Sequence, residues 1–104
     1  MTPSPMTPEE AQRLLADNRA KIDSLDRQIV DLLNKRTSMV EDIGRAKTVL
    51  GTAVQEPRRE ENVFRNVTTH NRGPIPDAAL RRIYENIMME MRALQGMLRE
   101  PEAK

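Results

Sequence analysis

The sequence predicts an all-α fold of three helices, one long, one short and one of medium length. Three observations carry this. Apolar residues recur at helical spacing in three segments. The strong breakers between those segments fall only around Gly51–Pro57 and Gly73–Pro76. Only 2% of the 104 residues are aromatic, too few for most sandwiches or barrels, which cover a pleated surface with aromatic and β-branched side chains. The length corresponds to one small domain.

The first helix starts at Thr7-Pro8-Glu9-Glu10, with Thr7 as N-cap, Pro8 at the first helical position and Glu10 completing a capping box. From there to Leu50 the only Gly or Pro is Gly44, and Gly51 supplies the stop. A helix of roughly 43 residues is about 65 Å long at ~1.5 Å per residue. A compact chain of this size has a radius of gyration of only ~13 Å. The rest of the chain is too short to cover such a helix, so its apolar stripe is expected to bury against a second copy.

Gly51 to Val54 reads as a short loop, and Pro57 marks the first turn of a second helix running to about Thr69. His70-Asn71-Arg72-Gly73-Pro74-Ile75-Pro76 is the clearest break. Asp77 is expected to N-cap a third helix from Ala78 to about Arg99, closed by Pro101. The domain is placed at residues 7–99, with 1–6 and 100–104 as frayed tails. No repeat of fixed period is present.

Composition excludes several classes of function. Seventeen Lys+Arg against sixteen Asp+Glu leave a formal charge of +1, so no net field favours nucleic acid or a membrane surface. The chain has no cysteine, hence no disulfide framework, thiol nucleophile or zinc-thiolate site. No apolar run approaches the ~18 residues of a membrane span. Residues 1–6 carry neither the basic nor the apolar region of a signal peptide, so a cytoplasmic location is expected. His70 has no helical partner at ligand spacing and is expected to be exposed, which leaves no metal site. Met88, Met89, Met91 and Met97 read as core filler and its margin.

The informative residues are charges on the wrong face. Ile22, Leu25, Ile29, Leu32, Leu33, Val40 and Ile43 form one stripe on the first helix. Arg36 and Lys47 fall in its middle and Arg19 at its edge. On the second helix Val63, Phe64 and Val67 define the apolar face. Glu60 projects into that arc, with Glu56 one turn earlier. On the third helix the stripe is Leu80, Ile83, Tyr84, Ile87, Met91, Leu94 and Leu98, with Gln95 at its margin. Three readings stand side by side. Long basic side chains can lie on apolar surface with their heads in water. Arg36 or Lys47 can pair with Glu60 in a buried network. Or the helices enclose a polar cavity for an anionic ligand, which the excess of inward cations favours.

Three blocks of sequence carry a family resemblance. Residues 19–36 (RAKIDSLDRQIVDLLNKR), continued by Ile43-Gly44-Arg45-Ala46-Lys47, resemble the opening helix of the all-α (AroQ-type) chorismate mutases. Val54-Gln55-Glu56-Pro57-Arg58-Arg59-Glu60 resembles that family's second-helix start. Arg82-Ile83-Tyr84-Glu85-Asn86-Ile87 with Arg92-Ala93-Leu94-Gln95 resembles its third helix. The likeness covers residues 14–98.

The resemblance implies an intertwined homodimer of three-helix protomers and a cofactor-free Claisen rearrangement of chorismate to prephenate, on the path to phenylalanine and tyrosine. It implies that Arg36 holds one substrate carboxylate and that the partner subunit's Arg19 holds the other. Lys47 and Gln95 would hydrogen-bond the ether oxygen, and Glu60 with Glu56 would take the ring hydroxyl. Arg59 and Met91 complete the substrate-binding set. A larger shikimate-pathway enzyme is a possible partner. Two positions depart from the family: Glu56 stands where Asp is usual, and Met91 where a small hydroxyl residue, often Ser, is common. Met91 cannot donate to a carboxylate.

Two other functions fit parts of this pattern. An isochorismate-pyruvate lyase of the same fold needs the same cations. A non-catalytic helical dimerisation module needs apolar residues, or one register-setting polar residue, at positions 36 and 47.

Overall fold

The structure is a computed structural model that describes residues 5–99, with side chains to residue 97. Its elements are α1 (Pro8–Leu50), α2 (Pro57–His70) and α3 (Asp77–Arg99), in the expected order of long, short and medium. The expected tails lie largely outside the described residues, as do Pro101 and the side chain of Leu98. Among the described residues no helix is long and apolar enough to cross a membrane.

The chain divides into two compact units, the first ending at Arg36 and the second starting at Thr37. The first unit is α1 up to Arg36. It opens on the expected capping box: Glu10 N donates to Thr7 Oγ1 at 3.1 Å, and Thr7 N donates to Glu10 Oε2 at 3.3 Å. Its apolar stripe lies open, with Ile22 at 52% and Leu32 at 62% exposure and Leu25 and Ile29 between them. A single helix has no core of its own, so this stripe is exposed hydrophobic surface in the isolated chain.

The second unit holds the end of α1 together with α2 and α3. Helix α1 stops where Gly51 adopts φ +68°, a left-handed conformation that L side chains rarely take. Thr52 N donates to Lys47 O at 3.0 Å and Gly51 N to Thr48 O at 3.3 Å, which closes the helix as a Schellman motif. The backbone of Lys47 is thereby fixed at the mouth of the following loop. That loop runs two residues further than expected, through Gln55 to Glu56, the N-cap of α2. Glu56 makes no side-chain cap bond, and Pro57 occupies the first turn.

Asn71 organises the second connection. Its Oδ1 accepts from Gly73 N at 2.9 Å, and its Nδ2 donates to Ile75 O and to Asp77 Oδ1, each at 2.8 Å. Asp77 is therefore not the N-cap. Leu80 N bonds to Pro76 O, so α3 begins one residue earlier, and the Asp77 carboxylate goes to Asn71 instead. Helix α2 packs on α3. Phe64 is buried, Met88 is buried, and the Arg81 guanidinium lies 4.1 Å over the Phe64 ring while bonding Glu61 at 3.2 Å.

The buried arc of α3 departs from the expected stripe. Met88 and Gln95 are its buried members, whereas Ile83 is half exposed at 48%. Met88 and Met91 fill the core and its margin as expected, but Met89 and Met97 are exposed.

Candidate active site

Lys47 lies in the last turn of α1 and is only 8% exposed. A buried ammonium loses hydration worth several kcal/mol, so it needs acceptors within the protein. It has three. Nζ donates to Val54 O at 2.8 Å and to Gln95 Oε1 at 3.1 Å, and pairs with Glu56 Oε1 at 2.8 Å. An ammonium carries three N–H groups, so its donor capacity matches these acceptors. The Schellman stop makes this possible, because it turns the chain so that Val54 and Glu56 come back to the side chain of Lys47.

Gln95 is 7% exposed on α3. Lysine can only donate, so the amide must turn its oxygen to Lys47, which fixes the orientation of the group. The amide NH2 then points elsewhere and has no partner among the described residues. Gly44 of α1 faces Gln95: a Cβ added there would meet Gln95 Cγ at 3.6 Å, an ordinary contact. Four residues earlier on α3, Met91 Sδ accepts a weak hydrogen bond from Thr37 Oγ1 at 3.5 Å.

One of the three readings paired Arg36 or Lys47 with Glu60. Its Oε2 accepts instead from Arg92 Nη1 at 2.7 Å, and both side chains are largely enclosed. Lys47 takes Glu56. These assignments change the charge count, because the buried cation of this unit is paired with a carboxylate rather than left over.

The second unit thus brings together Lys47, Gln95 and Glu56, and places Glu60 in a second pair with Arg92. Arg59 is exposed and joins neither group. Arg36 and Arg19 belong to the first unit, where Arg36 is half-buried and Arg19 is exposed. Arg92 is the residue to which sequence reasoning gave no role, although it opens the third-helix block that ends at Gln95. His70 is exposed, as expected, and lines an open cleft of about 510 Å³ with Tyr84 and Arg72. Neither Lys47 nor Gln95 lines that cleft. Among the described residues no group of His, Cys, Asp and Glu could hold a metal ion.

The chemistry open to such a site is binding and electrostatics. A buried ammonium beside an oriented amide can stabilise negative charge on an oxygen. Neither is a nucleophile poised by a base, and the described residues around them include no histidine.

The chain is similar to known proteins in sequence and in fold. Residues 18–96 match the family described as chorismate mutase type II. The chain is 39% identical over 86 residues to the bifunctional chorismate mutase/prephenate dehydratase of Neisseria gonorrhoeae, covering 82% of this chain and 23% of that protein. It is 36% identical over 50 residues to the chorismate mutase of Methanocaldococcus jannaschii, covering 48% of this chain and 50% of the other. Among solved structures, chorismate mutase (form II) from Thermus thermophilus superposes with a TM-score of 0.77 at 33% identity, over 79% of this chain and 93% of that one. The chain spans about a quarter of the length of the bifunctional relatives it matches. With three helices and this match over most of its length, the chain belongs to the chorismate mutase type II family.

Proposed function

We propose that this chain catalyses the rearrangement of chorismate to prephenate, without a cofactor. The observation that carries the reading is the buried Lys47–Gln95 pair, with the amide NH2 left to donate. In this reaction a C–O bond breaks as a C–C bond forms within one molecule, so no nucleophile and no net proton transfer are needed. The ether oxygen gains negative charge as its bond lengthens. Lys47 and Gln95 meet that charge, and the enclosed setting strengthens their effect. Holding a flexible dianion in its reactive conformer supplies the rest.

The other groups follow the family resemblance. Arg36 and the partner subunit's Arg19 hold the two carboxylates. Glu60, with Glu56 beside it, accepts the ring hydroxyl. Arg59 lies at the margin of the bound molecule, and Met91 contributes packing but no donor. The working domain is residues 7–99. It acts as a homodimer, because the open stripe of Ile22, Leu25, Ile29 and Leu32 needs a cover. The setting is cytoplasmic. A shikimate-pathway enzyme is a fitting partner, since bifunctional relatives join chorismate mutase to prephenate dehydratase in one chain.

Ultraviolet loss of chorismate, with the product identified as prephenate, tests the assignment. Salicylate and pyruvate from isochorismate would instead identify a lyase. Absence of both reactions, together with no thermal stabilisation by chorismate, would leave a dimerisation module.

A further inference from the structure

Arg92 is enclosed on α3 between Met88 and Gln95, four residues after the first and three before the second, so it shares their arc. Its guanidinium donates through Nη1 to Glu60 Oε2 at 2.7 Å, with the two side chains 32% and 22% exposed. Glu60 is the most enclosed carboxylate in any described ion pair; those of Asp42, Glu56 and Glu61 are at least half exposed. A carboxylate removed from water is costly unless something inside the protein bonds it. Arg92 is what bonds it. The contact leaves Glu60 Oε1 without a side-chain or backbone partner among the described residues. One oxygen is clamped and the other is on offer.

We propose that Arg92 is a positioning residue, which holds Glu60 so that Oε1 accepts the ring hydroxyl of the substrate. This rests on the chorismate mutase reading above and deepens it. The planar guanidinium fixes an oxygen in direction as well as distance, which a lysine ammonium does less well. The ring hydroxyl keeps its character while the ether bond breaks, so its contact helps ground state and transition state alike. Loss of such uniform binding raises KM and leaves kcat nearly unchanged. Loss of a Lys47 or Gln95 donor strikes kcat instead.

The test is steady-state kinetics of the full chain with chorismate for Arg92→Met, Glu60→Gln and the double variant, with circular dichroism as fold control. Arg92→Met should raise KM about tenfold, as expected for a lost hydrogen bond to a charged group, with kcat within about threefold. The double variant should be no worse than Glu60→Gln alone, within a factor of about two. Arg92→Lys should restore part of the loss, and it carries the comparison against Arg92→Gln should the Met variant fail to fold. An unchanged KM, a loss confined to kcat, or multiplying effects in the double variant would overturn the proposal. If the parent chain converts chorismate and only these expectations fail, the positioning role alone is lost. If the parent chain is inert, the functional reading falls and takes this role with it.

Discussion

Gln95 turns its amide oxygen to the Lys47 ammonium at 3.1 Å, which orients the amide NH2 as a donor of fixed direction. Replacing Gln95 with Glu removes that NH2 and leaves a donor only while the carboxyl is protonated. An ordinary Glu titrates near ~4.3; Lys47 beside it lowers that value, while burial and a bound dianion raise it. Protonation rises as pH falls, so Gln95→Glu should be poor at pH 8 and gain at least about tenfold in kcat/KM towards pH 5. The parent chain should vary far less. Profiles of both proteins between pH 5 and 8 check this, and parallel curves would remove Gln95 from the ether oxygen.

Gly44 gives a graded test of the same pair. An added Cβ meets Gln95 Cγ at 3.6 Å, an ordinary contact. Gly44→Ala should therefore keep activity within about twofold, and should stabilise α1 by up to ~1 kcal/mol through helix propensity. Gly44→Leu has to displace Gln95, and should lower kcat by about 10² while the helix persists. Thermal melts and kcat for both variants read the two effects separately.

The carboxylate-binding role proposed for Arg19 and Arg36 is tested by complementation. Arg19→Ala and Arg36→Ala should each be nearly inactive. Mixing the two should recover part of the activity, because one pocket of a heterodimer keeps both arginines. Verified subunit exchange without recovery would place both residues in a pocket of one chain.

The open stripe of α1 predicts association. Light scattering at micromolar concentration should give about twice the 11.9 kDa chain mass. Ile29→Asp should shift the protein towards monomer and lower its melting temperature, since it sets a charge among apolar residues that a dimer covers. A folded parent monomer at that concentration would contradict the dimer.

Local rules made much of this legible in advance. The Thr7–Glu10 box and the Gly51 stop depend on residues a few positions apart, and both appear where the spacing put them. Lys47 and Gln95 stood out because a polar residue on or beside an apolar stripe breaks the helical period. Arg92 did not stand out. Its partner Glu60 is 32 residues away, and among 17 basic residues nothing in the period marks one more arginine. The arc of α3 was misplaced for a related reason. Its apolar residues cover more of the circumference than α2 and the end of α1 enclose, so the wheel could not say which would be buried. Asp77 lost its capping role to a competitor, Asn71, whose side chain no local spacing rule ranks first.

The three N–H groups of Lys47 already have three protein acceptors, so a ligand oxygen can join only by exchange. The Val54 carbonyl is fixed by its backbone and Gln95 is buried, whereas the Glu56 side chain is 50% exposed and water can take it over. Affinity at this ammonium is therefore a difference between an incoming oxygen and a resident carboxylate. Weak acceptors such as a neutral ether in its ground state compete poorly against it, and an oxygen gaining charge competes well. On the proposed reaction, the resident carboxylate would bias this ammonium towards acceptors that gain charge.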